Sequence, residues 1–239
     1  MLPTSTSTST PTPTLMPIRR ALGAGLLALS CICAGAGAQQ AQAPSQQQLT
    51  SFFRAVQVND EATVRKMVGA VVNANELNPL GGEPALVLAL REGSKRVVEA
   101  LLAHPGTDLE RKAANGNTAL MMAAYKRDED STRALLAKGA KVNQSGWTAL
   151  HYAAASGDAN IAQLLIAHGA RLDALSPRPS GAYTPLMMAA REGQADIVRL
   201  LLAKGASRTL KNTEGLTAHQ IAERAGRADL VEMLAAGGR

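Results

Sequence analysis

The sequence predicts an all-α solenoid of about six helix-turn-helix units with a capping unit at each end, and three observations carry that reading. One phrase recurs: Thr118-Ala119-Leu120-Met121-Met122-Ala123-Ala124, Thr148-Ala149-Leu150-His151-Tyr152-Ala153-Ala154 and Thr184-Pro185-Leu186-Met187-Met188-Ala189-Ala190. Looser copies start at Pro84 and Thr217, so the steps between equivalent positions are 34, 30, 36 and 33 residues. Each phrase is followed by an apolar pair and then a glycine, as in Leu135-Leu136 with Gly139 or Leu201-Leu202 with Gly205. A fixed period of this length marks units that bury their apolar faces against one another rather than within themselves.

The elements follow in chain order. Residues 1–15 are a Ser/Thr/Pro low-complexity extension with little to bury. Residues 16–38 have the form of a signal peptide: Arg19 and Arg20, an uncharged apolar stretch from Ala21 to Cys33, and Ala36-Gly37-Ala38 as a small-residue cleavage site. Export from a bacterial cell with cleavage after Ala38 is expected, and Met16 is an alternative start. Two other readings stay open. Ala28-Leu29-Ser30-Cys31 is an imperfect lipoprotein site, and an uncleaved leader is a membrane anchor, although its glycines make a poor spanning helix. The paired arginines are also a weak twin-arginine signal. Residues 39–48, rich in Gln, Ala, Pro and Ser, read as a flexible linker, and residues 49–239 as the repeat domain.

Within each unit, Thr ahead of Pro or Ala is a helix start, because its hydroxyl accepts from an orphaned N–H of the first turn. Leu186, Ala189 and Ala190 then share one face, Gly157, Gly193 and Gly226 end the first helix, and Ile197, Val198, Leu201 and Leu202 form the stripe of the second. Gly169 and Gly205 stop that second helix in the left-handed conformation. A degenerate first copy runs from Phe52 to Val68. In the last copy His219 stands where Leu is expected, and Glu223, Arg224, Arg227 and Glu232 give the polar face of a cap. Arg127 replaces the helix-ending glycine of the third unit. The connection from Gly139 to Thr148 is short and that from Gly169 to Thr184 long, so the segment Ala174-Leu175-Ser176-Pro177-Arg178-Pro179-Ser180-Gly181 is expected to protrude and the connection to be cut first by trypsin, after Arg171.

Period and phrase together resemble the ankyrin repeat family, whose Thr-Pro-Leu-His-x-Ala pattern is matched most closely at Thr148–Ala154 and Thr184–Ala190. That resemblance implies a non-enzymatic module that holds a protein partner on a concave face. The face is built from the residue before each Thr and the two residues after each Ala-Ala. Carried over, these positions are Arg91 and Glu92; Asn117, Tyr125 and Lys126; Trp147, Ala155 and Ser156; Tyr183, Arg191 and Glu192; and Arg224. Three of the six aromatic residues beyond the leader fall there, and aromatic and Arg side chains are what binding hot spots favour. The competing reading is that they pack on the neighbouring connection. The resemblance also implies a structural His151, bonded within its turn.

Composition narrows the alternatives. With 46% hydrophobic and 18% charged residues the chain has the makings of a packed core. Its net charge of +6 falls to 23 basic against 19 acidic residues once Arg19 and Arg20 leave with the leader, a weak footprint for nucleic acid. Both cysteines, Cys31 and Cys33, lie in the leader, so no disulfide or cysteine metal site is expected beyond it. No H-E-x-x-H, P-loop or nucleophile-elbow spacing occurs, and His104, His151, His168 and His219 fall in different units. Asp128-Glu129-Asp130 reads as a solvated turn, and the Met121-Met122 and Met187-Met188 pairs as core. The expectation is therefore a monomeric periplasmic or secreted protein-binding module with no cofactor, no metal, no nucleic-acid role and no stable membrane insertion after signal cleavage. A secreted effector acting on a host protein is the alternative.

Overall fold

The computed structural model describes residues 43–235, and among these the chain forms twelve α-helices in six pairs. The pairs are α1 (Gln46–Gln57) with α2 (Glu61–Met67), α3 (Ala85–Glu92) with α4 (Lys95–Ala103), and α5 (Ala119–Tyr125) with α6 (Glu129–Ala137). They continue with α7 (Ala149–Ser156) and α8 (Ala159–Ala167), α9 (Pro185–Glu192) and α10 (Ala195–Ala203), and α11 (Ala218–Arg224) and α12 (Ala228–Ala235). The first helices of successive pairs pack in an inner row and the second helices in an outer row. The predicted solenoid of about six units is the observed architecture.

The helices are seven to twelve residues long, too short to stand alone in water, so the stack supplies their stability. Alanine at the phrase positions is what permits close stacking: Ala89, Ala123, Ala153, Ala189 and Ala222 are fully buried. Leu101, Leu135, Leu165 and Leu201 fill the space between the rows, also with no exposed surface. The methionine pairs are core, as expected, each 7% exposed or less.

Helix starts are set by side chains. Thr184 accepts from Met187 N–H at 3.2 Å, and Asp158 caps α8 through Ile161 N–H at 3.0 Å. Helix α1 begins at Gln46, inside the segment read as linker. Ser45 and Gln48 form a capping box there, with bonds of 3.2 and 2.8 Å, and this polar start is indistinguishable from linker composition until the apolar face of Leu49, Phe52, Phe53 and Val56 is seen to pack. Residues 1–15 and 16–38, expected to be a low-complexity extension and a signal peptide, lie outside the described residues.

At the turn between paired helices, Gly157 and Gly193 are left-handed, and a Cβ at Gly157 would come within 2.2 Å of Gln194 Oε1. Arg127 takes the same left-handed conformation, φ 58°, without being glycine, and its guanidinium lies 3.6 Å from Asp158 of the next unit. The turn thus survives the substitution, with an ion pair to the next unit.

The connections are stitched one to the next. Asn75 donates to Gly106 C=O at 2.8 Å and accepts from Asp108 N–H at 2.7 Å, and Asn143 repeats the arrangement with Gly169 and Arg171 at 2.8 and 2.9 Å. Glu110 accepts from Lys141 N–H, and Asp173 from Ser207 N–H. This corrects the expectation for the long connection. Its base is closed by Ser176 N–H to Tyr183 C=O at 2.8 Å and Tyr183 N–H to Ser176 Oγ at 2.9 Å, its flank by Thr213 N–H to Gly181 C=O at 2.9 Å. Pro177 lies over Gly146 of the short connection before it, and a short 3-10 turn covers Arg178–Ser180. The extra residues fill space that the shorter neighbour leaves; Arg171, Asp173, Leu175 and the turn from Pro177 to Ser180 are exposed, but Arg171 is held by its backbone N–H to Asn143 Oδ1.

Candidate functional site

Three positions of each phrase form the inner surface of the stack. In the fourth unit the residue ahead of the Thr is Trp147, and the residue seven after the Thr is Ala155; in the fifth unit the same two positions are Tyr183 and Arg191. Where the third and fifth units have Tyr125 and Arg191, the fourth has only a methyl group. The result is a hollow of about 360 Å³ at Ala155, lined by Tyr125, Trp147, His151, Tyr152, Met188, Arg191 and Glu192.

The aromatic rings of this hollow are set at steep angles. Tyr125 and Tyr152 have centroids 6.1 Å apart with planes at 85°, and Trp147 and Tyr152 are 6.2 Å apart at 55°. Trp147 also meets the His151 ring at 5.3 Å and 83°. Tyr125 is 54% exposed, which is unusual for so large a side chain on a packed helix. Beyond the hollow, Arg191 stands 5.2 Å over the Tyr183 ring and is bonded to Glu192 at 2.9 Å. It also bounds a second hollow of about 240 Å³ with Tyr183, Leu216, Ile221, Arg224 and Ala225.

His151 supports this surface from beneath. Its Nδ1 accepts from Thr148 N–H at 3.2 Å, which leaves the proton on Nε2 to donate to Tyr183 C=O at 2.9 Å. The imidazole thereby ties the fourth unit to the residue that opens the fifth. Burial pushes its pKa down to about 4, against the pull of the Tyr183 and Ala174 carbonyls. In the fifth unit Met187 fills the equivalent place, its sulfur accepting from Thr184 N–H at 3.4 Å.

The residues expected on the concave face divide into groups. Tyr125, Trp147, Arg191 and Glu192 surround the first hollow, and Tyr183, Arg191 and Arg224 the second, with Arg224 bonded to Glu214. Arg91 and Glu92 line neither hollow; Arg91 is paired with Glu92 and Glu83, each at 2.9 Å. Lys126 is exposed at the end of α5. Asn117 is only 9% exposed, and its Oδ1 accepts the Tyr152 hydroxyl at 2.6 Å, so its side chain is spent within the stack. Ser156 likewise donates to Ala124 C=O at 3.1 Å.

Tyr152 and Met188 were missed. Both occupy a phrase position that is core in the other units, as Leu88, Met122 and Ile221. Only the hydroxyl of Tyr152, reaching back to Asn117, distinguishes it in the sequence. Burial pushes the Tyr152 phenol up, the Asn117 bond opposes this, and nearby Tyr125 adds to it.

Nothing in this surface pairs a nucleophile with a base. Among the described residues no group of three or more His, Cys, Asp or Glu is placed to hold a metal ion, and no helix is long and apolar enough to cross a membrane.

A stack of helix pairs presenting one variable inner surface defines a repeat-built binding scaffold. The comparisons give the family: the model described as ankyrin repeats (3 copies) matches residues 52–145, 86–176 and 174–238, and the chain belongs to the ankyrin repeat family. Ankyrin repeats make it a protein-protein interaction module of a family whose members are generally non-enzymatic. Over 69 residues it is 44% identical to "Protein fem-1 homolog A-like" of Mus musculus, covering 28% of this chain and 11% of that protein. Over 118 residues it is 29% identical to "Transient receptor potential cation channel subfamily A member 1" of Homo sapiens, covering 48% of this chain and 10% of that protein. The chain thus spans about a tenth of each relative's length, and the likeness lies in the repeats.

Proposed function

We propose that this chain is a monomeric, non-enzymatic adaptor of the bacterial periplasm that grips one protein partner across the inner surface between Tyr125 and Arg224. The gathering of Tyr125, Trp147 and Tyr152 around the hollow at Ala155 is the observation that carries the binding reading. Aromatic side chains bury a large area with few rotamers to freeze, and such clusters supply most of the energy in protein interfaces. The leader before Gln39 supports the location, since its charged start, apolar stretch and Ala36-Gly37-Ala38 ending suit signal peptidase.

The test is co-purification from periplasmic extract with identification by mass spectrometry, comparing the parent with a Trp147→Ala, Tyr183→Ala double variant. A specific partner held by the parent and lost by the variant supports the surface. Equal recovery by both overturns it. The location is checked separately, by cell fractionation and by sequencing the mature N-terminus, where Gln39 is expected.

A further inference from the structure

We infer that the hollow at Ala155 receives an arginine side chain of the partner, which takes the place that the protein's own Arg191 takes one unit along. This deepens the proposed function and rests on its reading of the inner surface.

The argument comes from comparing equivalent positions. In the fifth unit the aromatic residue ahead of the Thr is covered by a cation from the position seven after it: Arg191 lies 5.2 Å from the Tyr183 centroid, with Glu192 bonded to it at 2.9 Å. In the second unit the residue at the first of these positions, Glu83, is also met by Arg91 from the second, at 2.9 Å. The fourth unit has the aromatic residue, Trp147, but Ala155 stands where the arginine is expected. Among the described residues, Arg191 over Tyr183 is the one cation set over a ring. Trp147, Tyr125 and Tyr152 line a space that holds three aromatic rings and the Glu192 carboxylate, and the one guanidinium of its wall, Arg191, is set over Tyr183 rather than over any of these rings.

A cation fits there better than the alternatives. Ring quadrupoles attract positive charge over their faces, and a planar guanidinium stacks on them while keeping its N–H groups in the plane for a carboxylate. A partner carboxylate would face Glu192 and the aromatic rings, which repel it. The positive charge of Arg191 is already engaged by Glu192 and by Tyr183, so the wall it forms is not a bare cation. At about 360 Å³ the space admits one long side chain together with part of its backbone.

Trp147 is the only tryptophan in the chain, so its fluorescence reports the hollow directly. The probes are the capped tripeptide acetyl-Gly-Arg-Gly-amide and its citrulline counterpart, which has the same shape without the charge, titrated at matched ionic strength. Saturable binding of the arginine peptide, with the citrulline peptide roughly three- to thirtyfold weaker, is expected. Ala155→Arg, which supplies the guanidinium from within, should abolish that preference in a protein that melts at the parent temperature. Should Ala155→Arg fail to fold, Glu192→Gln serves instead, and should narrow the arginine-to-citrulline ratio several-fold. Equal binding of the two peptides, or an unchanged preference in folded Ala155→Arg, overturns the inference. Failure of these titrations while the Trp147, Tyr183 double variant still loses its partner sinks the arginine and leaves the surface standing.

Discussion

The fourth unit, from Thr148 to Ala170, and the fifth, from Thr184 to Ala206, share their helix pair, their glycine turn and their place in the interior of the stack, yet they reach the same backbone by different chemistry. In the fourth, a buried imidazole closes the first turn and donates to Tyr183 C=O of its neighbour. In the fifth, a thioether fills that place and accepts from Thr184 N–H within its own unit. Their surfaces differ more sharply, because Ala155 leaves a hollow beside Trp147 where Arg191 covers Tyr183. What differs beneath the surface is a choice between two ways of satisfying the same N–H. What differs on it decides what the protein can hold.

The comparison breaks first in the core. Leu165→Ala and Leu201→Ala remove equivalent, fully buried side chains from the two units, and each should cost about 2–5 kcal/mol in urea or guanidinium melts. Leu234→Ala should cost clearly less, since its helix α12 has a neighbouring outer helix on one side alone among the described residues. A larger loss at Leu234 would show that the stack does not end where the sixth pair does.

Acid sharpens the difference between the capping residues. The His151 pKa is about 4 in the folded protein against 6.5 for the free side chain, so the unfolded chain takes up the proton first. Its contribution to stability is therefore full above pH 6.5 and falls away as the pH drops through 6.5 toward 4, by about 3 kcal/mol. His151→Met, which copies Met187 of the fifth unit, should lack that part of the acid slope. Denaturant melts of both proteins at pH 7 and pH 4.5 measure it, and parallel slopes would mean that the imidazole is not held neutral.

The smallest effect is at the caps. Thr184→Ala deletes the hydroxyl that accepts from Met187 N–H and should cost about 1 kcal/mol. Thr148→Ala should cost no more, because His151 Nδ1 keeps its bond to the backbone N–H of residue 148. A markedly greater loss at Thr148 would assign its hydroxyl contact with His151, at 2.9 Å, a larger share of the turn.

Much of the scaffold was legible because its determinants are local and repeated. The spacing of Thr118, Thr148, Thr184 and Thr217 set the helix starts, and Gly157 and Gly193 the turns. Where reading failed, the missing term lay in a neighbouring unit. Arg127 keeps its left-handed turn with Asp158 beside it, and the long connection lies down because Gly146 leaves room for Pro177.

The site divides along the same line. By itself the sequence determined the period, the helix pairs and the row of positions that face inward, since these follow from hydrophobic spacing and backbone preference within about 33 residues. Tertiary structure alone decided which of those positions act together. It spent Asn117 on the Tyr152 hydroxyl and Ser156 on a carbonyl of the preceding unit, and it brought Tyr152 to the hollow's wall. The hollow itself is made by a side chain that is small, flanked by Tyr125 from the unit before and Arg191 from the unit after. A space of that kind is a property of three stacked units, and it exists only once burial of the alanine faces has drawn them together.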